Sequence, residues 1–216
     1  IASEALKCLK NTESISLPDT VTEIGNYAFL DCVSITDIII PDSVTVIGRS
    51  AFSGCKSLTS IVIGNNVKII GCGAFQVCKC ITSIAIPESV KMIGEYAFYG
   101  CDNLVEFRGK YATANGSCLI VDGVLISFVG EKYTEYIIPD GVTRIGEKAF
   151  RWRGYLEKVI IPDSVSSIGD HAFRDCKSLT NVIIPDSVTS IGYSAFKGCT
   201  GLKEITLPAT VEEIYT

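Results

Sequence analysis

The chain has 216 residues, of which 47% are hydrophobic and 20% charged, with a formal net charge of -5. That balance excludes a disordered segment, which lacks the apolar content to fold, and argues against a nucleic-acid surface, which needs a basic excess. No apolar run approaches the ~18 residues of a membrane span, so the apolar excess must be buried by folding.

The elements recur along the chain. A segment beginning at Leu17-Pro18-Asp19-Thr20-Val21 returns at Ile40, Ile63 and Ile86, and again at Ile138, Ile161, Ile184 and Leu207, in steps of 23 residues. Seven copies are full, and partial coils remain at 1–16 and 207–216. Val, Ile, Gly and Ala-Phe hold fixed places, as in Val44, Ile47, Gly48 and Ala51-Phe52. A constant period with fixed apolar positions predicts one coil per repeat, each burying its apolar face against the next. Within a coil, Leu58 to Ile63 reads as a strand, and Pro-Asp-Ser as a turn. Val-Thr-x-Ile reads as a second, shorter strand, and Gly as a bend. The x-x-Ala-Phe-x-x-Cys stretch is too short for a free helix and is expected to make a single helical turn that drives Phe inward. The fold class is therefore an α/β solenoid, mostly β, of about nine coils with parallel strands, about 40 Å long.

Residues 109–137 interrupt the period. Cys118 to Ile126, with Asp122-Gly123 between two apolar runs, predicts a β-hairpin. The segment reads as a degenerate coil with a hairpin grown out of it, inside one solenoid spanning 1–216. It is either a tolerated insertion or a contributor to binding.

The pattern I-P-D-S-V-T-x-I-G-x-x-A-F-x-G-C-x-x-L, matched almost residue for residue from Ile184 to Leu202, resembles the BspA-like branch of the leucine-rich-repeat family. The resemblance implies a solenoid typical of surface proteins of host-associated bacteria and some parasitic protists. It implies a role in adhesion or host-protein binding, and a cell-surface or secreted location. It brings no catalytic residues and no cofactor.

Candidate chemistry is sparse. Cys32, Cys55, Cys78, Cys101, Cys176 and Cys199 share one repeat position and are expected as buried thiols. Cys8, Cys72, Cys80 and Cys118 fall outside that column, leaving a disulfide among them open. No metal site is expected: Cys72, Cys78 and Cys80 lack the converging ligands of zinc. The carboxylates Asp19, Asp42, Asp140, Asp163 and Asp186, with Glu88, form a column that suits turns better than calcium. His171, the sole histidine, is expected at an exposed corner. No nucleophile, base and orienting group come together, so an enzyme is not expected.

Two features suit protein contact. Strand alternation places Ile39, Val62, Ala85, Arg108, Ile137, Ile160, Ile183 and Thr206 in an outward column. A polar column from Asp37 and Ser60 to Glu135 and Lys158 runs beside it. β-Branched residues favour strands in any case, so the stripe reads either as strand composition or as a docking face. Trp152 and Tyr155, in Arg151-Trp152-Arg153-Gly154-Tyr155, are residue types of interface hot spots; alternatively Trp152 or Arg153 repairs packing beside the interruption. The reading is a non-enzymatic protein-binding module, with a spacer that displays a neighbouring domain as the alternative. No polar cap closes Ala5-Leu6 or Ile214-Tyr215-Thr216, which predicts either a piece of a longer chain or pairing of copies through their ends.

Overall fold

A computed structural model describes residues 1–129 and 133–214, with side chains up to residue 212. Tyr215 and Thr216, which the sequence pattern places at an uncapped end, and 130–132 of the interruption lie outside the described residues. The chain forms a mostly-β parallel solenoid of about eight turns. Its contacts divide it into two compact units, Ile1–Ser117 and Cys118–Thr216.

In the first unit, each coil contributes to two strand ladders. Ser14–Ile15, Asp37–Ile39 and Ser60–Val62 pair in parallel, and Ser83–Ile86 pairs with Glu106–Gly109. Glu23–Ile24, Val46–Ile47, Ile69–Ile70 and Met92–Ile93 make the second ladder. Every register advances by one repeat, as in Ile38↔Ile61 and Ile47↔Ile70. The Pro-Asp-Ser segments are closed turns: Val44 N–H donates to the Pro41 carbonyl at 3.0 Å and Val165 N–H to that of Pro162 at 3.0 Å.

The Ala-Phe stretch differs from the expected helical turn, and the described residues contain no helix. The N–H groups of Tyr27, Phe29 and Asp31 donate to the carbonyls of Arg49, Ala51 and Ser53 in the following coil, at 2.8, 2.7 and 2.8 Å. Those of Ala28, Leu30 and Cys32 fold back onto Gly25, Tyr27 and Phe29, at 3.3, 3.1 and 3.3 Å. A helix would spend all these donors within itself. Consecutive tight turns send every second one to the neighbouring coil, a third ladder. The cost is left-handed backbone at Tyr27 (φ 59°) and Asp31 (φ 56°), repeated at Ser50 and Gly54. Glycine suits Gly54, whose φ is +76°. Gly48 is needed for a different reason: a Cβ there would stand 2.7 Å from the Asn26 nitrogen of the preceding coil.

The phenylalanines line up as the period requires. Phe29, Phe52 and Phe75 are fully buried and stack at 5.0 and 5.4 Å, with rings within 5° of parallel. Each is worth about 1.5–3 kcal/mol through burial. Phe98 continues the stack at 5.8 Å and meets Phe107 edge-on. In the second unit, Phe128, Phe150, Phe173 and Phe196 form a column of their own, at 4.8, 4.8 and 5.2 Å.

Hydroxyls stitch coil to coil. Ser43 Oγ donates to the Val21 carbonyl at 2.7 Å, and Ser164 Oγ to that of Val142 at 2.8 Å. Thr59 Oγ1 donates to the Thr36 carbonyl at 3.1 Å. The turn serine therefore bonds the preceding coil rather than the backbone ahead of it.

The predicted hairpin is present: Cys118–Val121 pairs antiparallel with Val124–Phe128 around Asp122-Gly123, both at positive φ. Among the described residues, its first strand pairs only with the second, and the second lies in the repeat. Val124 and Leu125 pair in parallel with Arg144 and Ile145, in the register of the short-strand ladder, and Phe128 enters the Phe column. The second hairpin strand is itself a coil of the second unit. Lys158–Ile160 pairs with Glu135–Ile137 on one side and Asn181–Ile183 on the other to complete the face of that unit.

Candidate protein interface

The outward column is carried by paired strands in each unit. In the first, Ile39 is 66% exposed opposite Val62 at 53%, and Ala85 opposite Arg108, both exposed. In the second, Ile137 is 67% exposed and Ile183 52%, with Ile160 between them. Two residues depart from the expected alternation: Ile160 is half-buried rather than open, and Ile61 is half-buried rather than fully inward. Ile38, the partner of Ile61, is buried, as is Val159 at the equivalent place in the second unit. Thr206 is exposed but lies outside any strand.

Charged pairs border the apolar row. Arg108 Nε and Nη2 donate to Glu106 Oε2 at 2.9 and 2.7 Å, two residues apart on one strand face. Lys158 Nζ approaches Glu135 Oε2 at 3.7 Å. Such exposed pairs contribute about 0–1 kcal/mol to stability. They set paired charges beside the apolar residues, as at an interface rim.

A groove of about 640 Å³ adjoins Ile39, with Ile15, Leu17 and Pro41 among its walls. Asp19, Asp37 and Asp42 also line it. The second unit has a groove beside Ile160 and Ile183, walled by Pro162 and Pro185 and lined by Asp140, Asp163 and Asp186, and an adjoining one in which Ile183 and Asp186 meet Lys203 and Glu204. Sequence reasoning assigned these aspartates to turns and did not connect them to the face. The signal was available, because Asp42 follows Ile39 by three residues and Asp163 follows Ile160 by three. Asp42 serves the backbone of the next coil, accepting the Asn65 N–H at 2.6 Å.

Trp152 and Tyr155 lie in the turn ladder, not on the strand Lys158–Ile160 that carries the face. Trp152 is 50% exposed, donates from Nε1 to Asp175 Oδ2 at 3.1 Å, and lies under the Arg151 guanidinium at 4.6 Å. Tyr155 is half-buried against the core of the second unit. Arg153 points to the core side of that turn. It occupies the cysteine position, and its Nε donates to the Phe128 carbonyl at 3.0 Å.

The thiols explain what is being replaced. Cys55, Cys78 and Cys101 donate from Sγ to the carbonyls of Phe29, Phe52 and Phe75 at 3.2, 3.1 and 3.1 Å, and Cys176 donates to that of Phe150 at 3.0 Å. Burial raises the Cys55 thiol to about 12 and pushes Cys78 well up, so both stay protonated near neutrality. All ten cysteines are free thiols: Cys8 and Cys72 are exposed, Cys80 half-buried, and Cys118 buried beside the Tyr136 hydroxyl at 3.0 Å. His171 is half-buried rather than fully exposed, edge-on to Tyr193. Burial, then the charges of Arg174, Lys148 and Arg151, lowers its pKa. Among the described residues, no group of three or more His, Cys, Asp or Glu could hold a metal ion. No helix among them is long and apolar enough to cross a membrane.

This combination of period, stacked Phe and exposed strand face defines a leucine-rich-repeat protein. The chain belongs to the BspA-type leucine-rich-repeat family, whose model matches six copies over residues 1–114 and 126–216. Repeats of this class are protein-interaction modules and typically not enzymes. The structure is similar to that of the pneumococcal vaccine antigen PcpA, with a TM-score of 0.87 at 24% identity over 98% of this chain and 54% of that one. The chain thus spans about half of the antigen's length. It is also similar to a leucine-rich cell-surface protein of Faecalibacterium prausnitzii A2-165, with a TM-score of 0.59 at 28% identity over 98% of this chain and 71% of that one. A leucine-rich-repeat protein of Eubacterium ventriosum matches with a TM-score of 0.65 at 25% identity, over 84% of this chain and 56% of that one. No curated protein sequence matches significantly.

Proposed function

We propose that the chain is a non-enzymatic docking module of a bacterial cell-surface or secreted protein, binding a protein partner through the exposed strand faces that its two units each carry. The observation that carries this is the exposure of Ile39, Val62, Ile137 and Ile183, each more than half open on a paired strand. An exposed apolar row with a charged border marks interaction sites in soluble domains. The cell-surface description of the F. prausnitzii protein supports the location. Adhesion to host extracellular proteins is the role that fits an apolar face outside the cell. The test is a pull-down against host extracellular proteins with wild type and a Val62→Asp, Ile160→Asp double variant. Specific capture lost in a variant that still folds supports the reading; equal capture by both sinks it.

A further inference from the structure

We propose that the groove beside Ile39 receives an extended peptide segment in which lysine or arginine alternates with aliphatic residues. This rests on the docking reading and adds the chemistry of the partner. Ile15, Leu17, Ile39 and Pro41 give the groove apolar walls, and its only charged lining residues are Asp19, Asp37 and Asp42, with no lysine or arginine among them. An apolar contact selects aliphatic side chains, and the carboxylates select cations and reject anions. In the second unit Ile160, Ile183, Pro162 and Pro185 lie with Asp140, Asp163 and Asp186, but the adjoining groove that shares Ile183 and Asp186 also holds Lys203, so the all-acidic lining is a property of the groove beside Ile39.

Spacing argues for a peptide rather than a metal ion. Asp19 and Asp42 stand one repeat apart, as do Asp140, Asp163 and Asp186. Neighbouring coils are separated by about 4.8 Å, the distance between paired strands. The carboxylates therefore lie in rows. Among the described residues they do not gather into a metal-binding group. A row of acids beside an apolar strip matches cations on long, flexible stems, which lysine and arginine supply. The overall charge of -5 favours the same partner at longer range.

The test uses the full chain and fluorescently labelled octapeptides, read by anisotropy. One peptide alternates lysine with valine, one glutamate with valine, and one lysine with serine. The expected result is that the lysine–valine peptide binds, more weakly as salt rises, and that the other two bind at least about tenfold more weakly. An Asp19→Asn, Asp37→Asn, Asp42→Asn variant, confirmed folded by circular dichroism, should lose about tenfold in affinity for the lysine–valine peptide. Ile39→Ser should weaken the same peptide. Equal binding of the glutamate–valine peptide, or unchanged binding by the triple variant, overturns the proposal. So does lysine–serine binding as tight as lysine–valine. If a host protein is captured through the face and the triple variant captures it equally well, this proposal fails while the docking reading stands.

Discussion

The two units solve the same packing problem with different donors. In the first, the position three residues after each stacked Phe is a thiol, and Cys55, Cys78 and Cys101 bond the Phe carbonyls of the preceding coils. In the second, the position after Phe150 holds Arg153, which bonds the Phe128 carbonyl through Nε. Cys176 and Cys199 then resume the thiol pattern toward Phe150 and Phe173. A small buried sulfur and a half-buried guanidinium share little in volume or polarity. What they share is a donor aimed at a carbonyl. The column therefore supplies hydrogen bonds as well as filling space, which alanine or valine could not do.

The largest effect should be common to both units, because both rest on the Phe stack. Phe52→Ala and Phe150→Ala should each cost about 3–5 kcal/mol in urea unfolding; a markedly smaller loss in one would show that its stack is not the core. Alkaline pH should then separate thiol from guanidinium. Cys55 titrates at about 12 in the fold against an ordinary 9.0. A folded pKa above the unfolded one gives stability that is complete below about pH 9 and is lost as pH rises toward 12. A tenfold change in acid strength between the folded and unfolded chain corresponds to about 1.4 kcal/mol. A Cys55→Ala variant should show a flatter stability profile over that window, and an unchanged slope would refute the burial argument.

Replacement of the unusual donor sharpens the comparison further. Arg153→Val removes the bond to the Phe128 carbonyl and should cost about 1–3 kcal/mol, whereas Arg153→Cys should cost less than about 1 kcal/mol. Equal losses would mean that Arg153 acts through its bulk alone. Smallest of all is Val62→Asp. An exposed strand residue away from the core should shift stability by no more than about 0.5 kcal/mol, so any loss of partner capture reports on the face itself.

Much of this was legible because the period is strict. Once Phe29, Phe52 and Phe75 recur at equal spacing beside Val, Ile and Gly, stacking follows from the need to bury them, and alternation then assigns Ile39 and Val62 to the outside. The turn ladder was not legible, because local propensity sees a short Ala-Phe stretch and not the neighbouring coil that accepts every second N–H. The hairpin was half legible: Asp122-Gly123 announces the turn, but nothing local shows that Val124 and Leu125 join the parallel ladder with Arg144 and Ile145. Arg153 was hidden by its chemistry, since a cation in a thiol column looks like a break in the pattern until its partner is known. The aspartates of the groove were assigned to turns because one carboxylate per coil explains itself locally, and only the fold sets them beside the apolar row.

The central claim is that the open strand face of each unit receives the partner. Hydroxyl-radical footprinting of the chain, free and bound to a captured partner, reads that face directly through side-chain oxidation. Protection of Ile39, Val62, Ile137 and Ile183, with Trp152 oxidised as fast as in the free chain, is the predicted result. Protection centred on Trp152 and Tyr155, with the isoleucines and Val62 unaffected, would contradict it.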